Sequence, residues 1–223
     1  MCLRTEQLKP QIATEDITCY KIICKDMSSL FHPEFKWEFG KVYHTEMITT
    51  YSSFLRETQI EQGFHSYLTL RETREAYYSS TEPCIAVKCT IPKDTSYYTG
   101  KHGVRKGYAS EKIIINEIIP VKELYPYFNF DKYPYKVDDK LIIKFVEDIP
   151  NVEAVIENIQ PDPTNYRVNF VDMIVSLETE LWESKLMIVP TEFDGKEFRI
   201  KPLVIHPELG QRVMLKEIKI KAD

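Results

Sequence analysis

Apolar and polar positions in this chain fall into short runs, and their periods predict strands more often than helices. Ile17 to Cys24 sets Tyr20, Ile22 and Ile23 between polar residues and reads as a strand. Val42-Tyr43-His44 is a second short strand after a turn at Gly40, and Cys84 to Ile91 is a third. Ile113 to Ile119 is a fourth, dense enough in isoleucine to predict burial on both faces. Two segments read as helix. Met47 to Thr58 is one, against the low helix propensity of its Thr and Ser residues. Thr69 followed three residues later by Glu72 has capping-box spacing and opens the other, from about Leu70 to Ser79. Leu70, Arg74 and Tyr77 or Tyr78 would share one face of that helix, and Pro83 would stop it.

The pattern changes after Pro120. Leu124 to Tyr135 carries two prolines and many aromatics without a usable period, and reads as an extended connector packed by its own rings. Beyond it come strand candidates at 140–146, 152–159, 166–175, 185–189, 197–205 and 212–220. Several of these alternate in polarity, so one face of each should meet water. Asp194-Gly195 between β-rich flanks predicts a two-residue hairpin turn, because both positions favour positive φ. Pro161 to Asn165 predicts a longer turn. The expected fold class is therefore α+β: a small mixed N-terminal sheet with short helices, then a mainly antiparallel sandwich or barrel-like module. The expected boundaries are an N-terminal extension at 1–16, the α+β module at 17–119, the connector at 120–138 and the β-rich module at 139–223.

Composition narrows the function classes. With 43% apolar residues, and only 7 glycines against 14 tyrosines and 11 phenylalanines, the chain is a folded protein rather than a disordered one. A net charge of −5 disfavours nucleic acid as a partner, since phosphate binding relies on clustered Lys and Arg. The basic stretch Lys101 to Gly107 lacks a strand–loop–helix setting and reads as a solvated loop tip. No apolar run has the length of a membrane span and no signal peptide is visible, so a cytoplasmic protein is expected. Its five cysteines fit reduced thiols.

Candidate chemistry is sparse. Cys19-x4-Cys24 and Cys84-x4-Cys89 share a spacing that suggests a zinc site, but residues five apart on a strand face opposite ways. Buried thiols, with no metal and no disulfide, are expected instead. The five histidines form no metalloprotease pair. His65, in Gly63-Phe64-His65, is the one set between glycine and aromatics ahead of a helix, where it would either hold the turn or serve as base or ligand donor. Ser110 and Glu111 sit where a nucleophile or binding carboxylate could stand, without the strained elbow of a hydrolase. Tyr43, Phe64, Tyr98 and Tyr108 are candidate ligand-binding aromatics, with core packing as their ordinary role.

Cys19-Tyr20-Lys21, Phe39-Gly40-Lys41-Val42-Tyr43, Gly63-Phe64-His65, Ala76-Tyr77-Tyr78 and Ala109-Ser110-Glu111-Lys112-Ile113 occur in that order. Over residues 17–119 this layout resembles uncharacterised domains of bacteriophage and bacterial mobile-element proteins. The resemblance implies a setting, not a reaction. A looser likeness is to ADP-ribosyltransferase-like folds, which implies NAD as cofactor, although Tyr43-His44-Thr45 lacks the glycine of their pattern and the first strand lacks their arginine. Two readings follow. One is a binding or accessory protein without a cofactor, contacting a protein partner or a second copy of itself. The other is a nucleotide-handling enzyme using His65, Ser110 and Glu111.

Overall fold

Antiparallel strand pairing organises the chain where a mixture of strands and helices is expected. The computed structural model describes residues 2–78, 84–131, 135–145, 152–161, 171–177, 186–189, 192–193, 198–199, 203–205 and 212–220. Two compact units divide it: Met1–Tyr77 with Cys84–Leu124, and Tyr78–Pro83 with Tyr125–Asp223. The described residues hold nineteen strands and two helices, so the α+β expectation is overturned.

The first unit contains β1 (Leu3–Thr5), β2 (Gln11–Ile12), β3 (Ile17–Cys24), β4 (Val42–His44), β5 (Ile48–Ser52), β6 (Glu57–Gln62) and β7 (Phe64–Tyr67). After α1 (Leu70–Tyr78) come β8 (Cys84–Ile91), β9 (Ser96–His102), β10 (Arg105–Ser110) and β11 (Lys112–Ile118), then the single turn α2 (Val121–Leu124). Its eleven-stranded sheet runs β4-β11-β8-β3-β7-β10-β9-β1-β6-β5, with β2 pairing β9 off that path. The N-terminal residues Leu3–Thr5 thus lie inside the sheet, between β6 and β9.

Connectivity forces this sheet to curl. β4 and β5 stand at opposite ends of the strand order, yet only Thr45, Glu46 and Met47 join them. Four residue steps span at most about 14 Å, whereas ten flat strands would hold their edges roughly 43 Å apart. The lip is closed by hydrogen bonds from Thr45 N to Glu111 O (2.9 Å) and from Gln62 Nε2 to Thr45 Oγ1 (3.0 Å). Gly63 alone links β6 to β7, which are also distant in strand order, and its φ of +150° turns the chain between them. A side chain there would strain the backbone even though the space is open to ordinary contact.

Each face of the curled sheet carries its own core. Cys19, Ile23, Trp37, Tyr43, Val87, Cys89, Ile91, Ile113 and Ile115 form the larger cluster. Leu3, Ile60, Tyr98 and Ala109 form the smaller one. The isoleucine strand is not buried on both faces: Ile113 and Ile115 are inside, Ile114 is half-buried and Ile118 is exposed. Met47 to Thr58 is not a helix. Its Thr, Tyr and Ser content suits the antiparallel pair β5–β6, where Tyr51 stands opposite Thr58. The helix opened by Thr69 does form, with Arg71 N bonded to Thr69 Oγ1 at 3.2 Å. Its buried positions are Thr73, Ala76 and Tyr77, one turn apart, rather than Leu70 and Arg74.

In the second unit β12 (Lys140–Phe145), β13 (Val152–Pro161), β14 (Val171–Leu177), β15 (Leu186–Val189), β18 (Leu203–Ile205) and β19 (Arg212–Ile220) close an antiparallel barrel. Closure removes both free edges from these strands. A bulge between Ile156 and Asn158 switches which side chains of β13 point inward. Ala154 and Ile156 are buried before it and Ile159 after it. The short strands β16 (Glu192–Phe193) and β17 (Phe198–Arg199) pair with each other, Phe193 opposite Phe198. The expected turns at Asp194-Gly195 and Asp162 to Asn165 lie outside the described residues.

Gly63→Ala should lower the folding free energy by about 1–3 kcal/mol, because alanine resists that φ. Urea melts of the two chains check this. Equal midpoints would show that the bend does not depend on glycine.

Candidate functional site

The functional side chains gather where the sheet comes apart. β3 and β8 form an eight-residue ladder in which Cys19 faces Cys89 and Cys24 faces Cys84. The matching x4 spacings therefore come from antiparallel register, not from a metal knuckle. All five cysteines are free. No group of three or more metal-ligating side chains occurs among the described residues. On its other side β3 meets β7 through one described register pair, Tyr20 with Tyr67. Beyond that bridge the strands part.

Lys21 fills the gap. Its ammonium donates to the His65 carbonyl at 2.7 Å and sits 5.4 Å from the centre of the Trp37 ring. Burial pulls the amine below its ordinary pKa, while the Cys89 and Cys19 sulfurs pull it back. The Cys19 thiol is lowered chiefly by the Cys89 thiol. Cys89 is pushed up by burial and stays protonated.

From the other side comes His102, the last residue of β9 and 4% exposed. Gly107 on the neighbouring strand makes room for it. A Cβ at Gly107 would stand 2.8 Å from His102 Cδ2 and 2.3 Å from the Ser66 carbonyl oxygen. The ring lies 5.0 Å from that of His65 and 6.0 Å from that of Tyr67. Burial first, and then the Lys21 charge, depress its pKa to about 4, although the Tyr108 and Cys2 carbonyls act the other way. The imidazole is neutral at pH 7. The basic stretch turns at Gly103-Val104 with Lys101 and Lys106 exposed, while His102 is inside.

Lys21, Ile22, Ser29, Leu30, Phe31, His65, Ser66, Tyr67 and His102 line a cleft at this seam, of about 70 Å³. That volume admits a few waters or a small ion. Drug-sized ligands occupy roughly 300–1,000 Å³.

The sequence candidates divide between the faces. Ala109 pairs with His65 and Ser110 with Phe64, so His65 and Ser110 point to opposite sides of the sheet. The buried Ser110 hydroxyl donates to the Lys112 carbonyl at 2.9 Å, which is a turn contact. Glu111 follows it in the tight link to β11, where its backbone bonds Ser96 and Thr45. His65, Ser110 and Glu111 do not share a pocket. Tyr43 and Phe64 belong to the aromatic cluster around Trp37, with ring centres 4.9 Å and 5.8 Å from it. Tyr108 packs on that same face, and Tyr98 lies in the core opposite. These four aromatics line no common cleft. The residues that sequence reasoning passed over are Lys21, Ser66 and His102. The available signal was Lys21 at an inward-facing position, two residues from Cys19 and two from Ile23.

Because His102 is held neutral, its contribution to stability is full above its ordinary pKa of 6.5 and is lost as pH falls toward 4. The loss should reach about 3 kcal/mol at most. Melts at pH 7 and pH 4.5 should therefore diverge more for the parent chain than for His102→Gln. An identical pH slope in the two chains would show that His102 titrates normally.

Comparison with protein families, with curated proteins and with solved structures finds no match to this chain.

Proposed function

We propose that this chain is a binding or accessory protein of the phage or mobile-element type, acting through protein contacts at the β5–β6 hairpin. One observation carries the reading: among the described residues β5 ends the eleven-stranded sheet, pairs only with β6, and has four successive exposed residues. An edge strand offers unpaired backbone donors and acceptors to a second chain. Proteins that avoid such pairing place Lys or Pro on the edge or bury it, whereas Ile48-Thr49-Thr50-Tyr51-Ser52 contains no charge and no proline. Ile48, Tyr51, Phe54 and Leu55 add exposed apolar surface, Phe54 at 93%. The surface suits a partner that adds an extended strand and covers these side chains. The other edge, β4, is only three residues long.

Separation of His65 from Ser110 across the sheet leaves the enzyme reading, and with it NAD, without a supporting geometry. The net charge of −5 likewise favours a protein partner over nucleic acid. No helix among the described residues is long and apolar enough to cross a membrane.

A photo-crosslinking amino acid in place of Ile48, in cells of the protein's own host, should trap a covalent protein adduct. Adding Tyr51→Lys and Phe54→Lys should reduce its yield about fivefold or more, as desolvating two cations in an apolar contact is costly. The same crosslinker at Val104, exposed on the β9–β10 tip, should give no comparable product. Equal yields at positions 48 and 104, or no adduct at 48, would contradict the proposal.

A further inference from the structure

We propose that the cleft between β3 and β7 is a binding site for a small tetrahedral oxyanion, inorganic phosphate or the phosphate group of a monoester, held by Lys21, Ser66 and His102. This is independent of the β5 contact surface. Three observations converge on it. Lys21 brings an ammonium with three donors, of which the His65 carbonyl takes one. Among the described residues no carboxylate lies within ion-pair distance of it, and none lines the cleft. An inward-turned cation without a counter-charge is costly, and an entering anion would relieve that cost.

Second, two buried polar side chains lining the cleft lack a hydrogen bond of full geometry. Ser66 is 2% exposed and His102 is 4% exposed, yet Ser66 Oγ and His102 Nε2 make no well-formed hydrogen bond among the described residues, although the Cys19 thiol lies near Ser66 and the Cys2 and Tyr108 carbonyls lie near the His102 ring. Buried polar atoms are ordinarily well bonded, so two poorly satisfied donors beside one ammonium mark a place for an acceptor. Neutral imidazole with its proton on Nε2 donates, as does the hydroxyl. Third, these donors come from three strands, β3, β7 and β9, and approach from both faces of the parted sheet. Convergence from several directions suits a tetrahedral group better than a planar carboxylate. A metal cation is disfavoured by the same ammonium. The cleft's size admits the charged group but not a nucleotide, so any larger ligand would project past the exposed Phe31 at the rim.

The test is calorimetric titration of the full chain at pH 7 with inorganic phosphate, phenyl phosphate, sulfate and acetate. Saturable one-to-one binding of phosphate or phenyl phosphate is expected, with acetate weaker by about tenfold or more. Tighter binding of phenyl phosphate would assign the site to a phosphate carried on a larger molecule, and tighter binding of inorganic phosphate to the free ion. Lys21→Met should abolish binding; it also removes the donor to the His65 carbonyl, so the chain should melt somewhat below the parent, and phosphate should no longer raise its melting temperature. In the unmodified chain, phosphate should also shift the His102 imidazole nitrogen resonances, which needs no variant to fold. No saturation up to about 10 mM, unmoved His102 resonances, preferential acetate binding, or full affinity in a folded Lys21→Met chain would each overturn the assignment.

Discussion

Between β3 and β7 the large sheet has to be continuous enough to fold and open enough to let two faces meet. One register pair, Tyr20 with Tyr67, holds the strands together; His65 stays paired with Ala109 of β10, and its carbonyl meets a side chain of β3 rather than a register partner there. A buried carbonyl without a donor costs about as much as a lost hydrogen bond. Lys21 supplies that donor at 2.7 Å and so completes the sheet with a side chain instead of a strand. Other features of this region follow from the same gap. The ammonium draws Trp37 beneath it, depresses the His102 imidazole and leaves a cleft lined from both faces. Gly107 is needed because His102 must lie over the adjacent strand to reach the seam.

The seam is in turn a consequence of curling. Three residues between β4 and β5, and one between β6 and β7, tie together strands that are far apart in sheet order. A sheet wound that tightly concentrates its distortion at a few places, and glycine at 63 and the parted strands at β3–β7 are two of them. The second unit meets the edge problem differently, by closing its strands into a barrel. In the first unit the curl brings the ends near each other without pairing β4 to β5, which is why β5 keeps an open edge.

Much of the local structure is legible from residue type. β3, β4, β8 and β19 occupy the spans that β-branched and aromatic runs mark out, and the Thr69–Glu72 spacing locates the start of α1. What was not legible is pairing. Leu3–Thr5 looks like a polar extension because a strand of three residues carries no usable period, and only its neighbours β6 and β9 make it a strand. Ser, Thr and Tyr between 47 and 58 are compatible with several local conformations, and the antiparallel partner decides. The site was hidden for a related reason. Lys21, Ser66 and His102 lie 45 and 36 residues apart in turn, and only the strand order β3-β7-β10-β9 brings them together. His65 pointed to the right turn, but its backbone carbonyl is the atom that the seam uses most directly.

The seam depends on an ammonium turned inward and burdened by burial. Carbon-detected NMR titration of the chain labelled at lysine Cε reads this directly, because each lysine reports its own protonation. Lys21 should titrate below the usual lysine range, and the His102 ring should stay neutral until the solution is well below pH 6.5. A Lys21 signal that titrates together with the surface lysines would mean that its amine is in water, and the seam, the cleft and its proposed ligand would lose their common cause.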